Sequence, residues 1–567
     1  MTGISAGKTW SRIGAEVAPT GSAAPGVWQI GEVAENVGAG NWPAPANGYI
    51  LLYGDPDNAG GVSAETYPYS INKLSDGTTV RIGGRFATSA SDSSRMASGE
   101  IDLSGGSGAA PTTVTNQLAW NWARSGTTYE LIQDQPGSTW IDGSDNVYQC
   151  GRTYDASYNY GNSMFVKYDS SQVNQWYQSW RGTSSYPYGA QQPVMIKTAG
   201  ANSRVVGMMN VSTYRTSSYK GRIQIQPMDD SNGTATAGSK MVYPNNDTSY
   251  TSQMNGQPFF SKNVYNDYFA TTMPMYDSSG SQMPAIMLWE AEAANLQNQF
   301  GYDVAALRNQ STGASGYGNT HGGQCAIDSS NNIYILCYGD STKASGQTGT
   351  NKLSNIIIAK YNSSGALQWA YALRQQTGGA LLGQGSNMYS GGIICDGTDL
   401  YITGYSTGED GVQSNNYNQA PFIARIDNSG ATPSLTWINQ ACNPDYSCYA
   451  QNVERIGTDQ VVSFGYGQTD PSSNVVGVMC SMNIDGTTSG TGDVDGISWE
   501  IHDVSSYMIF QDATAGTENV LFTNFNSASG NVLTASGSPM EASNTGTISN
   551  FVTGAPSVTL AVESGGI

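Results

Sequence analysis

Two histidines in 567 residues, and charged side chains at only 12% of positions, remove many chemistries at the outset. No Cys-x-x-Cys pair occurs, and with only His321 and His502 to add imidazole a zinc centre is not expected. Carboxylates at Asp55 and Asp57 and at Asp493 and Asp495 do not complete a twelve-residue calcium loop, and Gly3 to Thr9 is one residue short of a phosphate loop, so no metal or cofactor is expected. Basic residues are scarce: 24 Lys and Arg against 44 Asp and Glu give a net charge of −20, which repels nucleic acid. No apolar run reaches the length of a membrane span. The opening residues lack the basic and apolar regions of a signal peptide, so the expectation is a protein made without one. Seven cysteines is an odd number. Cys150 and Cys337 read as small buried apolar residues, while the spacing of Cys442 and Cys448 leaves a small disulfide open.

What the chain has instead is glycine, tyrosine and a widely spaced tryptophan series. Trp120, Trp176, Trp289, Trp369, Trp437 and Trp499, with Met241 filling a gap, each follow or close an apolar stretch at intervals of 48 to 80 residues. Such an interval marks a repeated structural unit. The clearest copy contains four apolar runs, Cys325 to Asp328, Ile333 to Tyr338, Asn355 to Tyr361 and Ala366 to Tyr371. Short Ser, Asn and Gly links join the first pair and the last pair, which is hairpin chemistry, and a longer polar loop joins the middle two. Copies follow around Leu400 to Tyr405 and Val461 to Tyr466, and one precedes around Val147 to Gly151. Four antiparallel strands recurring in this way predict an all-β fold, a β-propeller of about seven four-stranded blades with six as the alternative count. A solenoid of 60-residue units is the competing architecture.

The propeller is expected over residues 116–525. Residues 1–48, rich in Gly, Ala and Pro, read as an extended N-terminal arm, residues 49–115 as a small β region or blade-closing strands, and residues 526–567 as a strap or tail.

The strings DGTDLYITG from Asp396 and DSSNNIY from Asp328, each followed by a Lys-Tyr-Asn or Arg-Ile-Asp segment, a Gly and a Trp, resemble the bacterial seven-bladed propeller repeat. The strings GVWQIGEVAE from Gly26 and GNWPAP from Gly40 resemble the opening segment of structural proteins of marine tailed bacteriophages. The second resemblance implies a virion protein present in multiple copies, its partners other virion proteins and its arm docking through Trp28 and Trp42.

In a blade of this kind the long loops and the inter-blade links share one face, where binding tends to reside. Those segments are rich in Tyr, Ser, Gly and Asn, and the chain holds 34 Tyr against 12 Phe. Tyrosine offers a large amphipathic surface at low rotamer cost, suited to stacking on a sugar. Tyr158, Tyr160, Tyr186, Tyr188, Tyr417, Tyr446 and Tyr449 are the candidate ligand-binding residues. No catalytic residue is assigned: Glu290 and Glu292 form the one close Glu pair in an apolar setting and read as a solvated connector, and a Ser-His-Asp arrangement would have to use His321 or His502. The function expected is that of a bacteriophage virion structural protein, a tail fibre or tail-associated protein whose loop face meets a host surface glycan. A capsid-decorating or tail-nozzle protein is the alternative within that class. A secreted propeller that binds or degrades polysaccharide is the alternative outside it.

Overall fold

Each blade begins with a turn that its own sequence enforces. In the first hairpin of one copy, Asp328 Oδ1 accepts the backbone N–H groups of Ser330 and Asn332, both at 2.9 Å, and Asn331 takes the left-handed conformation with φ 61°. Asp142, Ser144 and Asn146 repeat the arrangement at 2.9 and 3.0 Å, with Asp145 left-handed at φ 60°. The second hairpin uses the same device: Asn362 Oδ1 accepts from Ser364 at 3.0 Å and from Ala366 at 2.9 Å. Side-chain acceptors at these positions mimic a backbone turn and fix the register of the strands on either side.

The chain is described here by a computed structural model covering residues 48 to 566. Short segments are excepted, chiefly 55–64, 88–94, 133–138, 155–160, 183–189, 243–252, 309–319, 342–352, 376–386, 408–418, 469–474, 514–520, 525–539 and 551–560. The arm with Trp28 and Trp42 lies outside the described residues.

The fold is a seven-bladed β-propeller. Blade 1 consists of Glu65–Lys73, Thr79–Ala87, Arg95–Asp102 and Thr115–Arg124. Blade 2 consists of Thr139–Ile141, Val147–Tyr154, Gly161–Tyr168 and Asn174–Gly182, and blade 3 of Ala190–Lys197, Val205–Arg215, Ser218–Met228 and Lys240–Val242. Blade 4 is formed by Phe259–Phe260, Tyr268–Tyr276, Gln282–Ala291 and Leu296–Arg308, and blade 5 by Thr320–Ile327, Ile333–Ser341, Leu353–Tyr361 and Leu367–Gln375. Blade 6 is formed by Asn387–Asp396, Asp399–Thr407, Gln419–Asp427 and Ser434–Cys442. Blade 7 takes three strands from Cys448–Ile456, Gln460–Gln468 and Val475–Asn483 and its fourth from Gly48–Gly54, which pairs antiparallel with Val475–Asn483. Residues 49–115 therefore supply the closing strand of blade 7 and most of blade 1.

The strands are apolar on both faces because each blade is buried on both. Seven separate clusters of buried side chains lie one at each blade–blade interface, and together they close the circle. In blade 5, Ile335, Cys337 and Ile357 face blade 4, while Tyr334, Leu336, Ile356 and Ile358 face blade 6. All seven cysteines are buried and unbridged, so Cys442 and Cys448 do not pair. They belong to consecutive blades and take part in packing instead.

Beyond Asn483 the chain turns back and runs around the outside. Ile497–Asp503 pairs with blade 6, Met508–Asp512 with blade 5, Leu521–Asn524 with blade 4, Met540–Ser543 with blade 2, Thr547–Asn550 with blade 1, and Ala561–Gly566 with the closing strand of blade 7. All of these pairings are antiparallel. The segment forms a belt that visits the blades against their order in the chain.

The tryptophan series is only partly a ladder. Trp176, Trp369 and Trp437 are equivalent, near the start of the fourth strand, and each is 5% exposed. Trp120 and Met241 also lie on fourth strands, whereas Trp289 lies on a third strand and Trp499 on the belt. The expected equivalence fails for Trp499 because blade 7 takes its last strand from the other end of the chain, leaving the segment with Trp499 to pack on blade 6. The equivalent indoles clasp the next blade. Trp176 Nε1 donates to Asp230 O at 2.8 Å, in the second hairpin of blade 3, and Trp437 Nε1 to Ile484 O at 3.1 Å, in the turn that follows the third strand of blade 7. At those turns Gly233 and Gly486, with φ 70° and 78°, lie where a Cβ would collide with the indole. Between blades 2 and 3 charges reinforce the clasp. Asp230 binds Lys167 and Lys197, both at 2.8 Å, and Tyr148 Oη donates to it at 2.8 Å.

Two outcomes follow from this clasp. Trp437→Ala should lower unfolding free energy by about 3 to 5 kcal/mol, as for truncation of a buried aromatic, measured by denaturant unfolding. Burial alone would raise the Asp230 pKa, but hydrogen bonds from Lys167, Lys197 and Tyr148 outweigh it and hold the value below the ordinary 3.8. Its contribution to stability is thus complete above the ordinary value and is lost as pH falls through the lowered one. Asp230→Asn should be less stable than the parent near neutrality and should lose less stability on acidification, read as urea midpoints across the acid range.

Candidate functional site

The inner strand of most blades carries a register shift, and that irregularity shapes the channel. Shifts occur at Pro68/Ser70, Gln191/Val194, His321/Gln324, Ser390/Ile393 and Ala450/Asn452. A bulge bends a strand and re-aims the side chains beside it. In blade 6 the bulge is Gly391 and Gly392, where a Cβ would run into the backbone of Ala450 and Asn452 of blade 7, so first strands approach at backbone distance.

Just before these bulges, tyrosines from four consecutive blades form an unbroken arc. Tyr338 of blade 5 meets Tyr389 of blade 6 at 4.9 Å between centroids, and Tyr389 stacks on Tyr405 at 4.9 Å. Tyr405 meets Tyr449 of blade 7 at 5.0 Å, and Tyr449 stacks on Tyr466 at 4.9 Å. Tyr466 meets Tyr67 of blade 1 at 5.3 Å, and Tyr67 lies parallel to Tyr69 at 6.3 Å. Contacts within a blade are stacked, at 10° to 26°, and contacts between blades are edge-on, at 69° to 75°. The stacked pairs Tyr389/Tyr405 and Tyr449/Tyr466 are direct cross-strand partners. The Arg85 guanidinium sits 5.5 Å from the Tyr67 ring centre at one end of the arc. All seven rings are half-buried. They lie where second strands end and the long loops leave, at the mouth of the channel.

Beneath the arc the channel is laced shut. Asn452 Nδ2 donates to Tyr69 O at 2.7 Å, Gln324 Nε2 to Gln451 O at 2.9 Å and Asn72 Nδ2 to Thr139 O at 2.7 Å, each joining two blades. Lys262 of blade 4 crosses to donate to Ile71 O of blade 1 and lies 3.4 Å from Glu454 of blade 7. Burial pulls its ammonium pKa down, Glu454 opposes this, and Lys73 adds to the fall. The remaining cavity, lined by Ser70, Asn72, Thr139, Lys262, Gln324 and Asn452 among others, has a volume of about 30 Å³, water-sized space only.

Burial holds the phenols of Tyr405, Tyr449 and Tyr466 neutral. Burial, with Tyr338, Tyr466, Tyr389 and Tyr449 adding to it, pushes Tyr405 well above the ordinary tyrosine range. Burial pushes Tyr466 up to about 12, with Tyr449 and Tyr67 contributing. The surface therefore presents aromatic area with hydroxyls that both donate and accept hydrogen bonds.

Of the residues singled out from sequence, Tyr449 lies in the arc. Tyr446 is half-buried against the core between blades 6 and 7, and its backbone N–H donates to Asn443 Oδ1 at 3.2 Å. Tyr158, Tyr160, Tyr186, Tyr188 and Tyr417 lie outside the described residues. Glu290 ends the third strand of blade 4 and binds Gln299 at 2.6 Å, with Glu292 exposed just beyond it, so the pair is not at the channel. His502 pairs with Glu500 at 2.8 Å on the belt, away from the mouth. Gly404 to Gly408 spells the Gly-x-Ser-x-Gly string of a nucleophile elbow. Ser406, however, is buried in a strand and accepts Gln440 Nε2 at 2.5 Å, without the strand-to-helix turn that would present it. Sequence reasoning missed Tyr67, Tyr69, Tyr338, Tyr389, Tyr405 and Tyr466, although a signal existed: three consecutive second-strand runs end on Tyr338, Tyr405 and Tyr466.

No protein-family model and no curated protein matches the chain. Among solved structures it is similar to an α-L-arabinofuranosidase from Fusarium graminearum, with a TM-score of 0.34 and 9% identity over 65% of this chain and 92% of that one. It is also similar to a protein of unknown function from Dyadobacter fermentans, with a TM-score of 0.33 and 9% identity over 77% and 98%. A thermostable family-43 glycoside hydrolase matches with a TM-score of 0.25 and 14% identity over 58% and 94%. Likeness of this degree carries neither a reaction nor a substrate across to this chain.

The arc has its own pH signature. Because the folded state keeps phenol protons that an unfolded chain releases from the ordinary 10.0 upward, the stability tied to Tyr466 is complete below about pH 10 and is lost as pH rises toward about 12. Tyr466→Phe should flatten that alkaline decline, read as urea midpoints across this range.

Proposed function

We propose that this chain is a carbohydrate-binding β-propeller whose long-loop face, centred on the tyrosine arc, recognises a cell-surface or extracellular polysaccharide. The arc is the observation that carries the reading. Seven half-buried rings form a surface suited to sugar faces and sugar hydroxyls. Rings and hydroxyls support binding rather than cleavage, and Glu454, beneath the arc, is engaged by Lys73 and Lys262.

The resemblance of residues 26–45 to marine phage structural proteins supports a setting on a virion, as a tail fibre or tail-associated protein with residues 1–47 as its attachment arm. In that setting the ligand is a host surface glycan. A secreted polysaccharide-binding propeller would use the same face, and recovery of the chain from purified virions, or its absence from them, separates the two.

Screening the purified protein against immobilised polysaccharides tests the shared reading. Binding to at least one is expected, and Tyr389→Ala and Tyr449→Ala should each weaken it by about 2 kcal/mol or more, as for central aromatic anchors. Binding that survives both changes removes the arc from recognition. Release of reducing sugar from the bound polymer would move the reading to a degrading propeller.

A further inference from the structure

We infer that the site takes the interior of an extended, neutral polysaccharide laid across the channel mouth, and does not recognise a chain end. The inference rests on the carbohydrate-binding reading and names its ligand more narrowly.

Three observations carry it. The first is the shape of the aromatic surface. Six ring-to-ring steps of 4.9 to 6.3 Å run from Tyr338 to Tyr69 across blades 5, 6, 7 and 1. An arc that long offers successive, similar contacts to a polymer that repeats, and most of it would be idle beneath a single sugar. Its alternation of stacked and edge-on contacts follows the blade repeat, so each blade offers a comparable unit.

The second is the floor. A site for a chain end needs a pocket that encloses the terminal residue. Here Asn452 and Asn72 tie neighbouring blades together below the rings, Gln324 ties blade 5 to blade 7, and Lys262 spans from blade 4 to blade 1. The cavity among these described side chains is about 30 Å³, enough for water and too small for a sugar ring. A ligand at the mouth has to pass over the channel.

The third is charge. Burial holds Tyr405 and Tyr466 above the ordinary tyrosine range, and among the described residues Arg85 sets its guanidinium over a ring at one end of the arc. A polyanionic chain would meet one guanidinium on a protein of net charge −20, which disfavours it.

The test uses ladders of linear neutral oligosaccharides, from monosaccharide upward, prepared from each polysaccharide that binds, with and without a blocked non-reducing end. Affinity measured by calorimetry should rise at least about tenfold from disaccharide to the longest oligomer, and blocking the end should change it less than about twofold. Tyr69→Ala and Tyr338→Ala, which remove the two ends of the arc, should weaken long oligomers by a larger factor than they weaken the shortest binding oligomer. Melting temperatures of the two variants show that each is folded, and Tyr69→Phe and Tyr338→Phe serve if either is not. A monosaccharide that competes as well as the polymer, or binding abolished by end-blocking, overturns the inference while leaving carbohydrate binding intact. Preference for a charged polysaccharide overturns it as well. No binding to any polysaccharide or ladder overturns the underlying reading, and this inference with it.

Discussion

A sheet of four strands with apolar side chains on both faces has no stable existence alone. Everything in this protein depends on blade-against-blade packing, and that packing must close on itself, because an open stack would leave two apolar faces in water. The circle is completed where Gly48–Gly54 enters blade 7: Tyr49, Leu51 and Tyr53 from that strand pack with Ile71, Val80 and Ile82 of blade 1. The same strand sends Ile50 and Leu52 to the opposite face, against blade 6. One seven-residue strand thus contributes to two interfaces and links the first described strand of the chain to the last blade.

The candidate site is a by-product of that closure. Each tyrosine pair belongs to one blade, but the arc exists because successive blades bring their pairs edge to edge. The bulge below each pair and the small residues Gly391 and Gly392 set how near the inner strands come. Polar side chains then tie those strands together and leave the mouth as an accessible rim above a closed floor. Function and stability draw on the same elements, though on different side chains.

The local parts of this design were legible. Asp328, Asn331 and Asn332 announce a hairpin in the sequence because the turn is made by those residues themselves, and the four-run repeat follows from strand period and turn spacing. The placement of Tyr449 at the long-loop end was legible for the same reason. Relations between distant segments were not. Nothing local to Gly48–Gly54 tells that it pairs with Val475–Asn483, and the belt strands are short and polar enough to look like a tail. Trp499 misled because its spacing mimics the repeat while its strand sits one layer outside it. The arc was missed because its rings come from runs already explained as strands, so attention fell on tyrosines in the intervening loops.

The belt has a consequence for the order of assembly. Residues from Gly490 onward are made after every blade strand and pair with blades 6, 5, 4, 2 and 1 in turn, before Ala561–Gly566 reaches the closing strand. A nascent chain can build its central blades in sequence, but blade 7 must retrieve a strand made more than 400 residues earlier. The outer layer can be laid down only in the reverse direction, once the ring beneath it exists. Chains interrupted soon after Asn483 would carry complete blades with bare outer edges, the surfaces on which β-sheets join one another between molecules.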